Sequence, residues 1–287
     1  MNRNFLIFLS VLTGAMLTAC SNEEEAKEMP AEGLPMMVEV SETPLTDADN
    51  GQPVNASTRG DVMTLTGLNS FKMNYTADYS YSFSKSEGTW STNTWPSSVA
   101  LETAIDFYAY TAGAFIWNDG SPYVSFTVEG TPANQTDLLV AKTTTSHKAC
   151  GGTVPLYFKH ACAAVRFNVQ ITNTLHNTHG NLTVNSIGLQ NVKSFGRYYY
   201  SDNSWKDIGT SANYTLADSP ITVTTSPEQL SCGHLFMIPQ TLGADAKLVI
   251  TYSGGTQSTA EISLNNETWE AGKRYTYNIR LGTNLIK

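Results

Sequence analysis

The sequence has few cysteines and no cluster of basic residues, and these shortages exclude several classes of protein. Its 287 residues include four cysteines, which are too few for a disulfide-rich scaffold. Residues 60–287 hold sixteen acidic and fourteen basic residues, so this part of the chain is nearly neutral. A nucleic-acid-binding protein needs a clustered basic face, which this sequence does not supply. After residue 20, no apolar run approaches the ~18 residues that a membrane-spanning helix requires.

Catalytic and metal-binding motifs are also absent from the sequence. It contains no G-x-S-x-G, H-E-x-x-H, Walker or C-x-x-C motif. His176 and His179 are spaced closely enough to suggest metal ligands, but a solvent-exposed turn between strands is the simpler interpretation. His160 and Cys162 lie two residues apart with no third residue to orient the histidine as a base. The sequence therefore predicts a protein that is not an enzyme and binds no cofactor or metal.

The N-terminus is typical of a lipoprotein precursor. Arg3 precedes an apolar stretch at residues 5–17, and residues 17–20 (LTAC) have the pattern of a lipoprotein cleavage site. We expect residues 1–19 to be a signal peptide, cut between Ala19 and Cys20, and Cys20 to carry palmitate-type acyl chains. Several acyl chains hold a protein stably on a membrane. The alternative is an ordinary signal peptide followed by an incidental cysteine.

Residues 20–60 are predicted to form an acidic tether that contains one strand. Residues 20–59 hold nine acidic and two basic residues, and residues 21–35 and 41–60 have the composition of flexible or loop segments. Between them lies a short run typical of a strand, formed by Met36, Met37, Val38, Glu39 and Val40. Since this strand has no neighbour in sequence, it must pair with a distant sheet or with another molecule.

From residue 62 onward, apolar and polar residues alternate as they do in β-strands. One such series is formed by Ala163, Val165, Phe167 and Val169. Residues 142–153 form a polar, glycine-containing break in the pattern. The sequence predicts an all-β fold with two tandem β-sandwich domains, at residues 61–148 and 149–287.

The remaining cysteines leave two alternatives open. Cys150 and Cys162 either form a disulfide or are buried as free thiols that act as small apolar residues.

Several segments, taken together in their order and spacing, resemble the fimbrillin family of lipoprotein pilins and pilin-like proteins from Gram-negative anaerobes. The segments are residues 107–110 (FYAY), 137–141 (DLLVA), 154–167 (VPLYFKHACAAVRF), 236–240 (FMIPQ) and 269–277 (WEAGKRYTY). The resemblance implies two transthyretin-like β-sandwiches and a structural role as a fimbrial (pilus) subunit in cell adhesion. It places the protein at the outer membrane and cell surface, with other pilin subunits and a surface receptor as partners.

The resemblance also implies how the subunit would be processed and assembled. In the family, an arginine-specific protease removes the first strand, and a strand of the next subunit fills the groove by donor-strand exchange. In this sequence the matching cut lies between Arg59 and Gly60, and the removable strand is residues 36–40. The candidate donor residues near the C-terminus are Tyr275, Tyr277, Ile279 and Leu281. A tip, anchor or accessory position in the fimbria fits the sequence as well as a stalk position.

A second hypothesis comes from a different class of protein. Five tryptophans and fourteen tyrosines supply enough aromatic surface for glycan stacking, although aromatic residues of β-sandwiches more often form the core. The alternative is therefore an outer-membrane lipoprotein that binds glycans or host proteins and never polymerises.

Overall fold

The computed structural model describes residues 28–29, 33–54, 68–118, 120–216, 220–229, 234–254 and 259–282. This part of the chain contains no helix that is long and apolar enough to cross a membrane.

The fold consists almost entirely of β-strands, as predicted. The strands in chain order are β1 (Pro35–Glu42), β2 (Thr46–Asp47), β3 (Ser70–Asn74), β4 (Ser80–Ser86), β5 (Thr89–Trp90), β6 (Asn93–Thr94), β7 (Ile105–Tyr110), β8 (Ala114–Ile116), β9 (Tyr123–Thr127), β10 (Leu139–Thr145), β11 (Thr153–His160), β12 (Ala163–Ile171), β13 (Leu182–Tyr199), β14 (Ser204–Thr215), β15 (Ile221–Val223), β16 (Glu228–Gln229), β17 (Leu235–Met237), β18 (Gln240–Thr241), β19 (Lys247–Ser253), β20 (Thr259–Ser263), β21 (Thr268–Trp269) and β22 (Lys273–Leu281). The short helices are a 3₁₀ turn (Pro132–Asn134), α1 (His147–Cys150) and α2 (Asn173–His179).

The strands form three larger sheets and one two-stranded pair. Sheet I has eight strands in the order β5-β4-β3-β7-β10-β11-β1-β6. Sheet II runs β16-β12-β22-β2, with β17 also paired to β12. Sheet III runs β20-β19-β13-β9-β8, with β14 and β15 also paired to β13. The small pair is β18 with β21.

Two hydrophobic cores result from the alternation of side chains along these strands. The N-terminal core includes Phe71, Phe83 and Trp95 beside the β11 side chains, and the large core includes residues from all three larger sheets. On β7, Phe107 and Ala109 belong to the N-terminal core, whereas Tyr108 and Tyr110 belong to the large core. Both faces of the middle of sheet I are therefore covered.

The predicted boundary between residues 148 and 149 does not coincide with a change of sheet. β11 follows that boundary in sequence, yet it pairs with β10 and β1 in sheet I. β9 precedes the boundary, yet it pairs with β13 in sheet III. A division into two sandwich domains therefore stays a prediction, and a cut before β11 would separate strands that are hydrogen-bonded to each other.

The segment with the two spaced histidines is a helix, and not the turn that we expected. α2 begins after Thr172, whose side-chain oxygen accepts a hydrogen bond from the Leu175 backbone N–H, and it ends at Gly180. This N-cap satisfies one of the free backbone N–H groups at the start of the helix. Seven residues are too few to show an apolar period, which explains why the sequence pattern did not reveal the helix.

Both described cysteines carry free thiols. Cys150 is half-buried at the end of α1, and Cys162 is fully buried between β11 and β12. Of the two alternatives that the sequence left open, the structure shows the unbridged one.

Candidate functional site

The isolated strand that the sequence predicted is present as β1, and it pairs with a strand far away in the sequence. β1 runs parallel to β11 over six residue pairs, from Met37 opposite Thr153 to Glu42 opposite Phe158. On its other side, Pro35 and Met36 pair with β6, and the described residues provide no further partner there. Because no tight turn connects β1 to β11, these hydrogen bonds do not depend on chain continuity between the two strands.

The side chains of β1 divide into a buried row and an exposed row. Met36 and Val38 are buried in the N-terminal core, and Val40 packs against it. Met37 and Glu39 lie on the opposite side and are exposed. The β11 residues Val154, Leu156 and Phe158 are fully buried in the same core. Removing β1 would therefore expose an apolar groove beside β11, together with its unpaired backbone N–H and C=O groups.

The end of β1 contacts the rest of the protein through a buried histidine at the end of β11. The Oε1 atom of Glu42 lies 3.2 Å from Nε2 of His160, and the Asp137 carboxylate contacts Nδ1 of the same ring. The His160 side chain is only 3% exposed. Burial alone would lower the pKa of His160, but the charges and hydrogen bonds of Asp137 and Glu42 raise it to about 9.

The protonation of His160 should make the stability of the protein depend on pH. An unfolded histidine has a pKa of about 6.5, so the stabilisation by His160 is complete below that pH and is lost as the pH rises through about 9. The shift corresponds to roughly 3 kcal/mol across this window. We expect Glu42→Gln to reduce the loss of stability between pH 6.5 and 9 in urea unfolding experiments, because it removes one of the two carboxylates that raise the pKa.

The control for this measurement is Glu39→Gln, which removes an exposed carboxylate from the same strand. It should leave the pH dependence of wild type unchanged. An identical pH dependence of the Glu42→Gln variant and wild type would show that the Glu42 contact does not act on His160.

The chain after β1 makes a second attachment, to the large core. Leu45 and Val54 are buried there, and β2 lies between them and pairs with the start of β22. The Asp47 carboxylate accepts a 2.8 Å hydrogen bond from Nη2 of Arg274, and the two side chains are only 14% and 6% exposed. Burial alone would raise the pKa of Asp47, but the hydrogen bond and charge of Arg274 and backbone N–H groups lower it.

We call residues 35–54 the N-terminal segment, because they form one continuous attachment to both cores. The predicted removable strand, Met36 to Val40, is the middle of β1 and supplies only the first half of this attachment. The sequence pattern did not predict the second half, which comprises Leu45, Val54 and the Asp47–Arg274 ion pair. No periodic pattern marks it, because Leu45 and Val54 are isolated apolar residues on either side of an acidic loop.

The candidate donor residues lie on a strand that is largely buried inside the fold, which argues against its leaving the subunit. They lie on β22 and are Tyr275, Tyr277, Ile279 and Leu281. This strand is in the interior of sheet II, because β22 pairs with β12 over eight residue pairs and with β2 on its other side. Tyr277, Ile279 and Leu281 are buried in the large core. Withdrawing β22 would open that core, so its burial argues against the release of this strand, and a donor role for β22 stays a prediction.

The other predicted positions lie outside the described residues. These are Ala19 and Cys20 at the signal cleavage and lipidation site, and Arg59 and Gly60 at the processing site. The described part of the chain resumes at Leu68, so the processing site falls between the N-terminal segment and β3.

The histidine and cysteine that lie two residues apart in the sequence, His160 and Cys162, are both buried. His160 contacts two carboxylates, and burial raises the pKa of the Cys162 thiol, which keeps it in the protonated, unreactive form. Among the residues that the structure describes, no group of three or more histidine, cysteine or acidic residues could hold a metal ion.

Comparison with known proteins identifies the family. A family model described as fimbrillin-like matches residues 46–287, which excludes β1 but includes β2 and every later strand. Among curated proteins, none matches significantly.

Solved structures share the fold at low sequence identity. A fimbrial protein from Bacteroides vulgatus aligns with a TM-score of 0.56 and 15% identity, over 88% of this chain and 96% of that protein. A candidate cell adhesion protein from Bacteroides ovatus aligns with a TM-score of 0.54 and 15% identity, over 91% and 95%. Another, from Bacteroides uniformis, aligns with a TM-score of 0.54 and 16% identity, over 76% and 88%. Since the family match covers most of the sequence and the fold is shared, the chain belongs to the fimbrillin-like family.

Proposed function

We propose that the protein is a subunit of a surface fimbria that assembles by strand exchange and supports adhesion. In this proposal, a protease cuts the chain after Arg59, and a strand from another subunit then replaces the N-terminal segment. Membership of the fimbrillin-like family supports the fimbrial role, and one solved relative with the same fold is described as a fimbrial protein.

The observation that carries the proposal is the position of β1. It is held by a parallel pairing with β11 and by an alternating row of apolar side chains, and both are interactions that an extended segment of another chain can reproduce. Backbone hydrogen bonds along a sheet edge provide affinity, and pockets for alternate side chains provide specificity.

We also propose that lipid on Cys20 anchors the intact precursor to the outer membrane. The cut after Arg59 would separate the folded body from this lipid. It would also remove most of the negative charge, because residues 20–59 carry nine of the acidic residues and only two of the basic ones. A given molecule would then be either anchored by its lipid or able to assemble, but not both.

An arginine-specific protease tests the proposal on the protein lacking its signal peptide. Four other arginines lie within strands of the described structure, namely Arg166, Arg197, Arg274 and Arg280. Strands are poor protease substrates, so we expect one main product that begins at Gly60. This cut protein should take up a fluorescent peptide spanning residues 35–54 in exchange for its own segment, as measured by fluorescence anisotropy.

The matched control is Arg59→Lys, which keeps the charge but removes the cleavage site. It should stay intact and take up no labelled peptide. A cut protein that never exchanges its segment would contradict the proposal, and it would favour the alternative of a non-polymerising lipoprotein.

A further inference from the structure

A cleft lies beside β11, where the side chains that cover one face of sheet I end. On β10, Val140 is fully buried in the large core, whereas Lys159, its partner on β11, is exposed. Tyr157 lies on the same face of β11, two residues before Lys159, and is 70% exposed. The cover of sheet I therefore stops between β10 and β11, and it leaves a cleft with a volume of about 300 Å³.

Two tyrosines on the far side of the cleft are held in fixed positions. Tyr198 and Tyr200 both line the cleft and are almost fully buried. The Tyr200 hydroxyl donates a 2.9 Å hydrogen bond to the backbone oxygen of Ala109, and the Tyr198 hydroxyl donates a 3.1 Å bond to Oδ1 of Asn203. Asn203 also lines the cleft, and its amide N–H₂ group has no partner among the described residues. The cleft therefore has a rigid aromatic wall with hydrogen-bond donors at its rim.

The cleft is lined by two lysines, and they differ in their partners. Lys142 forms a 2.9 Å ion pair with the Asp106 carboxylate. Within the described part of the chain, no carboxylate pairs with Lys159, and neighbouring protein atoms partly desolvate its ammonium group, which lowers its pKa. A carboxylate that entered the cleft would gain a charge-assisted hydrogen bond from Lys159.

We propose that this cleft binds an acidic sugar, which is a pyranose ring that carries a carboxylate. The Tyr157 ring stacks on the C–H face of the sugar, the Lys159 ammonium binds the carboxylate, and the Asn203 amide donates to a sugar hydroxyl. Aromatic walls with a few convergent polar groups are typical of small-molecule sites. Hexuronic acids and sialic acids both have this chemistry.

The site lies apart from the groove of the N-terminal segment. Its lining comes from β10, β11, the end of β13 and the turn before β14. The inference therefore does not depend on strand exchange, and the sugar should bind equally well before and after the cut at Arg59.

Ligand-observed NMR titrations of the protein lacking its signal peptide test the site. The probes are glucuronic acid and sialyllactose, and their uncharged counterparts are glucose and lactose. We expect at least one acidic probe to bind with a Kd on the order of 1 mM, about tenfold more tightly than its uncharged counterpart. The acidic probe that binds identifies the class of sugar. If neither acidic probe binds, or if the uncharged counterpart binds equally well, the proposal is overturned.

A substitution of Tyr157 tests the stacking surface. Tyr157→Ala should weaken binding of the acidic probe by at least about tenfold, because the ring is lost. Tyr79→Ala is the matched control, since Tyr79 is also exposed, at 48%, and lies outside the cleft. It should leave the affinity unchanged.

A substitution of Lys159 tests the selection of the carboxylate. Lys159→Gln should bind the acidic probe and its uncharged counterpart with equal affinity. Lys148→Gln changes an exposed lysine on α1, and it should keep the preference for the acidic probe. Exposed positions such as Tyr157 and Lys159 tolerate substitution, so both variants should fold. Wild-type affinity in Tyr157→Ala, or a full preference for the acidic probe in Lys159→Gln, would show that the sugar binds elsewhere and overturn the proposal.

Discussion

Replacing Met36 with alanine is expected to lower the free energy of unfolding by about 2–5 kcal/mol, because it leaves a cavity in a packed core. The Met36 side chain is fully buried in the N-terminal core. The neighbouring residue, Met37, lies on the other side of β1 and is 43% exposed. Replacing Met37 with alanine should therefore change the free energy of unfolding by no more than about 0.5 kcal/mol.

The two methionine variants form a matched pair, since they delete the same atoms from adjacent positions. Urea unfolding followed by tryptophan fluorescence measures both, and Trp95 reports on the N-terminal core because its ring lies 5.5 Å from that of Phe107. Equal effects of the two substitutions would contradict the orientation of β1 and the groove derived from it.

The second large effect is expected from Asp47→Asn, which removes the charge from the partly buried ion pair with Arg274. Hydrogen bonds to charged groups contribute about 1.5–3 kcal/mol, and we expect a loss of this size because Asp47 is only partly buried. The exposed pair of Arg197 and Asp207 is the control, because its side chains are 39% and 53% exposed. Asp207→Asn should lower the free energy of unfolding by less than about 1 kcal/mol.

The pH dependence of Asp47→Asn separates a lost charge from a general loss of packing. Because the pKa of Asp47 is lowered in the folded protein, its stabilisation is present above about pH 4 and is lost as the pH falls through the folded pKa. The difference in stability between wild type and Asp47→Asn should therefore shrink in acid. A difference that stays constant from pH 7 to pH 3 would contradict the role of the ion pair.

The alternation of apolar residues predicts many of the strands, but it does not predict which strands pair with each other. The run from Met36 to Val40 predicts a strand, and the strand is there. Its pairing with β11 could not be read from the sequence, because more than a hundred residues separate the two strands and parallel pairing leaves no hairpin signal. For the same reason, the polar break before β11 suggested a domain boundary that the sheet crosses.

The first half of the candidate site, the strand at residues 36–40, was predictable from the sequence, and the second half was not. Leu45 and Val54 stand alone in segments of loop composition, and single apolar residues carry no period. Asp47 and Arg274 are 227 residues apart. In the sequence, each of these charged residues taken alone looks like an ordinary surface residue. Only the fold reveals that the segment before the predicted cut attaches to both cores.

We propose above all that the N-terminal segment is removed and replaced when the protein assembles. N-terminal sequencing of the protein from assembled surface fibres tests this claim most directly, with the membrane-bound precursor as the reference. The account predicts that the fibre-bound chain begins at Gly60 and the precursor at a lipid-modified Cys20. Fibres built from chains that still begin at Cys20 would contradict it.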